Sequence, residues 1–224
     1  MNNLGPLIIN LDGLALSNSE KKLLSDDLVG GVILFNNNYQ SFTQLKKLIH
    51  EIRSVKKNIL ISIDHEGGRV QRFHGEFTSL PSFHQLSNMD CNNREDLCYY
   101  TGAIAGYELS KIDIDINFSP VIDLCENEKD QLLSSRTFGK DKNKTIALAT
   151  KYLNGLMDYG IIPVLKHYPG HGLVNTDSHI QECISYEVED SERFKNHFSV
   201  FQYLYDHFKI PIMTSHILFK NIDT

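Results

Sequence analysis

The sequence predicts an α/β protein of the (β/α)8 TIM barrel class, and three observations predict it. Short stretches at Leu7–Leu11, Val32–Phe35, Ile59–Ile63, within Ile114–Ile122, and at Ile161–Leu165 and Ile210–Met213 are predominantly apolar. That is the pattern of parallel strands covered on both faces. Segments with apolar residues at helical spacing lie between them, so strand and helix alternate. Polar residues follow the third, fourth, fifth and sixth strands alike, and one rim collecting chemistry from many strands is a barrel habit. An open doubly wound sheet shares the alternation, but no Gly-x-Gly-x-x-Gly follows the first strand.

In chain order, the first strand ends at Asp12-Gly13. A helix with Leu23, Leu24 and Leu28 on one face follows, and Gly30-Gly31 is expected to stop it. Ser41 and Gln44 read as a capping box before Phe42, Leu45, Leu48, Ile49 and Ile52. Asp64 closes the third strand, and a long loop through Gly67-Gly68 and Pro81 leads to a helix over Arg94 to Leu109. The fourth strand ends at Asp123, and the loop after it carries Ser135-Arg136-Thr137-Phe138-Gly139. Asp141 caps the next helix, whose apolar face is Ile146, Ala149, Tyr152, Leu153, Leu156 and Met157. The fifth strand ends with Lys166-His167, and a loop turning on Pro169, Gly170 and Gly172 runs to Asp177-Ser178-His179. Phe194, Phe198, Phe201, Leu204, Tyr205 and Phe208 line the last helix before the sixth strand. Six β/α units are fewer than the eight, in about 250 residues, that close such a barrel. One domain over residues 1–224 holding the first six units, incomplete at its C-terminal side, is therefore expected.

Composition limits the function classes. An apolar fraction of 41%, with 12 Phe and 10 Tyr, supplies a sizeable core and argues against disorder. The net charge of −6 offers no broad basic face to nucleic acid or to an anionic membrane. Cys91, Cys98, Cys125 and Cys183 lack Cys-x-x-Cys spacing and read as reduced, incidental thiols. The N-terminal apolar run is short, broken by Gly5-Pro6 and preceded by no basic segment, so no signal peptide is expected. No stretch is long enough to span a bilayer as a helix. A cytoplasmic protein without cofactor is the expectation.

Two stretches are denser in titratable residues than a fold needs. In Val164 to His179, Asp177 and His179 are two apart. An acid that orients an imidazole makes a proton-transfer pair of adjustable pKa, whereas in a solvated loop Asp177 would merely make an Asx-turn. Lys166 and His167, at a strand end, suit donation to a substrate hydroxyl or carbonyl, or else form a surface lysine beside a core histidine. His167, His171, Asp177 and His179 could also ligate a metal, but their spacing matches no usual zinc pattern. In Asp64 to Arg72, Asp64 can accept from paired hydroxyls, and Arg69 and Arg72 are three apart, so at least one faces inward. Arg136 would be a third polar contact on the rim, or a surface arginine.

These residues carry a resemblance. Lys166-His167-Tyr168-Pro169-Gly170-His171-Gly172 with Asp177-Ser178-His179 closely resembles the signature of glycoside hydrolase family 3 β-N-acetylhexosaminidases. Asp64 through Arg72, Asn117 through Asp123 and Arg136-Thr137-Phe138-Gly139 resemble their other signatures in the same order, over nearly the whole chain. Tyr168 stands where the family usually has phenylalanine. The resemblance implies a retaining enzyme that releases terminal β-linked N-acetylglucosamine, in bacteria from cytoplasmic peptidoglycan fragments during cell-wall recycling. It implies His179 as general acid/base with Asp177 as its partner, and Asp64, Arg72, Arg136, Lys166 and His167 as sugar-binding residues. The partner implied is a carbohydrate, N-acetylglucosamine-terminated glycans or muropeptides, bound by a full-length monomer. The family's nucleophile is an aspartate after the seventh strand, and this sequence stops at Thr224, past the sixth. The alternatives are an inactive remnant of the fold that still binds amino sugars, and metal-dependent hydrolysis through the histidines.

Overall fold

The computed structural model describes residues 4–127, 132–174 and 182–222. Strands β1 (Leu7–Asn10), β2 (Val29–Leu34) and β3 (Leu60–Ile63) are separated by helices α1 (Asn18–Leu24) and α2 (Phe42–Val55). A hairpin of β4 (His65–Gly67) and β5 (Val70–Gln71) leads to α3 (Phe83–Asn88) and α4 (Arg94–Ser110). Next come β6 (Ile116–Asn117), α5 (Lys142–Met157), β7 (Ile162–Pro163) and β8 (Leu165–Tyr168). The chain continues with β9 (Cys183–Ser185), α6 (Glu192–Phe208), β10 (Ile212–Thr214) and β11 (Ile217–Phe219).

β1, β2, β3, β6 and β7 form one parallel sheet in that order, and β8 pairs parallel with β10. A parallel bridge between Val121 and Lys166 joins the two pieces. Counting β7 and β8 as halves of the fifth strand, six parallel strands stand side by side in chain order. That order, with helices between the strands, is the arc of a (β/α)8 barrel, as expected.

Strand alternation sorts the apolar residues onto two faces. Val32 and Leu34 on β2 and Ile61 and Ile63 on β3 join the main core with Leu45, Leu48, Ile49 and Ile52 of α2. Ile33 and Leu60 point the other way, against Ile116, Phe118, Val164 and Met213. This second cluster lies on the concave face. Side-chain caps hold the helix starts: Ser17, Ser82, Asp141 and Ser191 accept from the amides of Glu20, Gln85, Lys144 and Phe194.

Several boundaries differ from expectation, each for a physical reason. Gly30 and Gly31 do not end a helix; they lie inside β2, which pairs with β1 and β3, and at Gly30 a Cβ would collide with the Gly5 backbone. α1 stops at Leu24, so Leu28 lies beyond it at 58% exposure, and of α1 only Leu24 is buried. Ser41 caps α2, but the Gln44 side chain accepts from Gln40 N–H rather than from Ser41, so the box is half formed. On α6 the buried stripe is Phe194, His197, Val200, Phe201 and Leu204, while Tyr205 faces solvent. The fifth strand runs on through Lys166 and His167 to Tyr168, because β10 supplies its hydrogen-bonding partner. Lys166-His167 is therefore on the strand, not after it.

Candidate active site

A cavity of about 370 Å3 opens at the carboxyl ends of these strands, within the range of roughly 300–1,000 Å3 typical of small-molecule pockets. Asp64, Arg72, Arg136, Lys166 and His167, the five residues expected to bind a ligand, all line it. Ile33, Phe118 and Met213, from the concave apolar cluster, also line it. A larger cavity of about 670 Å3 between α6 and β11 shares Thr214 and Ser215 with it. The charged residues of that larger space, Glu189, Asp190 and Lys195, are exposed side chains. The smaller cavity holds the organised chemistry.

Its organising group is the Lys166 ammonium, whose side chain is 2% exposed. Lys166 Nζ donates to Asp64 Oδ1 at 2.7 Å and stands 2.7 Å from Glu66 Oε1. Arg136 meets the same Glu66 with both arms of its fork, Nε to Oε2 at 2.9 Å and a terminal nitrogen to Oε1 at 2.7 Å. Burial pushes the Glu66 carboxyl up, but the adjacent Lys166 and Arg136 charges more than offset it and hold the pKa at about 2. Arg72 reaches Asp64 Oδ2 at 3.4 Å and lies over the Phe35 ring, 5.3 Å from its centroid. Glu66 was not singled out from the sequence. Its signal was the spacing: in extended chain, Asp64 and Glu66 are two apart and face the same way.

A second buried carboxylate, Asp123, sits behind His167 with no exposed surface. It accepts from the His167 main-chain N–H at 3.2 Å and lies 2.8 Å from the His167 ring Nδ1. The His171 main-chain N–H donates to its other oxygen at 2.6 Å. Burial alone would raise the Asp123 pKa, but His167 and these hydrogen bonds bring it below the ordinary carboxylate value. From the sequence, Asp123 is expected at the end of the fourth strand, whereas β6 stops at Asn117; its service to a histidine 44 residues later was not visible there.

Asn117 closes the back of the site by exchanging two hydrogen bonds with the His65 backbone, at 3.0 and 2.9 Å. Asp177 and His179 lie outside the described residues; the described chain runs to Val174, shortly after His171, which lines the cavity. Among the described residues, no group of three His, Cys, Asp or Glu is disposed to hold a metal ion. None of the described helices is long and apolar enough to cross a membrane. The arrangement is suited to binding a neutral polyhydroxylated ring. Asp64 presents a carboxylate to hydroxyls, Arg72, Arg136 and His167 present N–H groups, and the charges behind them are already paired.

The glycosyl hydrolase family 3 N-terminal domain matches residues 6–224. A β-hexosaminidase from Psychromonas ingrahamii is 37% identical over 221 residues, covering 97% of this chain and 65% of that protein. One from Haemophilus influenzae is 35% identical, covering 97% of this chain and 62% of that protein. The chain thus spans less than two thirds of the length of these curated relatives. The crystal structure of NagZ from Neisseria gonorrhoeae in complex with N-trifluoroacetyl-D-glucosamine superposes with a TM-score of 0.92 at 32% identity. That superposition covers 99% of this chain and 66% of the other.

Proposed function

This chain belongs to glycosyl hydrolase family 3, and we propose that it is the catalytic barrel portion of a β-N-acetylhexosaminidase. One observation carries the reading: Asp64, Arg72, Arg136, Lys166 and His167, drawn from three separate stretches of the sequence, converge on one cavity. In this proposal they hold a terminal β-linked N-acetylglucosamine. Asp64 accepts from sugar hydroxyls, with Lys166 holding it in place. Arg72 and Arg136 donate to hydroxyl and carbonyl oxygens. His167, fixed by Asp123, donates at the far wall.

His179 then serves as general acid/base, with Asp177 orienting its ring. Its imidazole gives a proton to the departing oxygen and later takes one from the attacking water. Retaining hydrolysis usually sets two carboxyl groups about 5–5.5 Å apart, and in this proposal the Asp-His pair takes the place of the acid. The nucleophilic carboxylate would come from an aspartate C-terminal to Thr224. The substrates proposed are peptidoglycan fragments, met in the cytoplasm. The cysteines, with no Cys-x-x-Cys pair among them, suit a reducing compartment. The relatives' activity and a sugar analogue bound by the gonococcal NagZ support the same reading.

The test is hydrolysis of 4-nitrophenyl N-acetyl-β-glucosaminide by a form extended past Thr224 to include that aspartate, beside a titration with N-acetylglucosamine, each with His179→Ala as control. Turnover that the substitution greatly slows, most of all for substrates with poor leaving groups, supports the enzyme. Binding without turnover supports the amino-sugar-binding alternative, which the self-contained Asp64–Lys166–Glu66–Arg136 network also favours. Failure of both sinks the carbohydrate assignment.

A further inference from the structure

The loop after β8 is gripped from behind by one face of α6, and we propose that Arg193 and His197 are positioning residues for the cavity. They are four apart, so both project from the same side of the helix. Arg193 donates to the Gly172 carbonyl at 2.8 Å and to the Leu173 carbonyl at 3.2 Å. Its guanidinium is steadied by Glu187 at 3.0 Å and Glu126 at 3.1 Å. His197, 1% exposed, fills the space behind the same turn. Its ring lies so close that a Cβ added to Gly170 or Gly172 would come within 3.0 Å of its atoms. Gly170 has φ of 146°, a conformation open to glycine. Neither ring nitrogen of His197 has a hydrogen-bond partner among the described residues, so the ring acts through its shape.

The grip reaches the cavity in two contacts. Between the two glycines, the His171 N–H donates to Asp123, and Asp123 holds the His167 ring. A loop displaced from α6 would leave Asp123 short of one donor and His167 less firmly placed. What the grip is for rests on the carbohydrate reading; the grip itself does not.

The test uses the 224-residue chain with three readouts: amide exchange at His171 to Val174, the His167 ring resonances, and titration with N-acetylglucosamine. Leu173 and Val174 N–H bond to the Gly170 and His171 carbonyls, so their exchange reports the turn. Arg193→Met and His197→Ala should each speed exchange there, shift the His167 resonances and weaken sugar binding about 10–100-fold. Exchange in β1 to β3 should stay as it was. Arg193→Lys should fall between, and His197→Phe, a ring of similar shape without nitrogens, should restore wild-type behaviour. Unchanged exchange at His171 to Val174, or His197→Phe behaving like His197→Ala, overturns the proposal. Should a variant unfold outright, His197→Phe still decides. If the wild-type chain binds no N-acetylglucosamine, the carbohydrate reading falls, while exchange and ring resonances still judge the grip.

Discussion

Asp64 and Glu66 both face Lys166 Nζ at 2.7 Å, yet the Asp64 side chain keeps 19% of its surface and Glu66 only 1%. Asp64 stands in the wall of the cavity. Glu66 lies beneath it, its oxygens occupied by Arg136 and Lys166. Two carboxylates on one short stretch thus divide the work, one presenting a charge to a ligand and the other neutralising the cations that hold it. The same division separates partly exposed His167 from buried Asp123. In these two pairs the saturated member builds the site and the partly exposed member faces the cavity.

The sharpest way to break this comparison is Glu66→Ala. It strands Lys166 and Arg136 in the interior with one anion fewer, and loss of one partner from a buried pair costs about 3–5 kcal/mol. Urea unfolding should show that loss; a change within experimental error would mean that Glu66 does not anchor the cluster.

Acid should expose the floor next. Folded Glu66 has its pKa held at about 2 against an ordinary 4.5, so its contribution is intact above pH 4.5 and is lost as pH falls towards 2. His65 works over an adjoining window. Burial first, then the nearby His74 and Arg72 charges, lowers its pKa from 6.5 to about 3. The unfolded chain therefore binds a proton that the folded chain refuses, and stability should fall as pH drops from 6.5 towards 3. His65→Phe, which would pack against Phe73 and Phe77, should flatten the upper part of that decline and leave the lower part. An unaltered pH profile would remove His65 from the account.

Asp64→Asn should act on the ligand more than on the fold. Lys166 keeps Glu66, so stability should change by about 1 kcal/mol or less. Binding of N-acetylglucosamine should weaken by about 1.5–3 kcal/mol, the worth of a hydrogen bond to a charged group. Calorimetry of binding and unfolding on one preparation separates the two effects, and equal losses in both would erase the distinction from Glu66. The smallest effect belongs to the surface pair Lys151–Glu95, whose side chains are 42% and 56% exposed. Lys151→Ala should cost about 0–1 kcal/mol in the same unfolding assay.

Much of the fold was legible because its signals are local. Apolar runs mark β1 to β3, Asp141 caps α5, and the 3.6-residue period places Leu45, Leu48, Ile49 and Ile52 on one side of α2. Asp64 was legible as a polar group right after an apolar strand, and Arg72, Arg136, Lys166 and His167 through the family resemblance. Glu66, Asp123 and His197 were harder to read. Glu66 stood beside a more conspicuous aspartate, Asp123 serves a histidine on another strand, and His197 sits in a helix whose phenylalanines drew the pattern.

By itself, the sequence determined which segments become strands and helices, their order, and the rim on which the chemistry collects. Periodicity and capping act over a few residues and carry their own instructions. Only tertiary structure decided which acid meets which cation. Lys166 and Asp64 are 102 residues apart in the chain, and Arg136 and Glu66 are 70 apart. Tertiary contact also decided that Gly30 belongs to a strand, since β2 forms by pairing with β1 and β3, and the Gly5 backbone lying against it leaves room only for glycine. Charge pairing in a dry interior depends on distance in space and on the water excluded around it, and both arise when the strands come together.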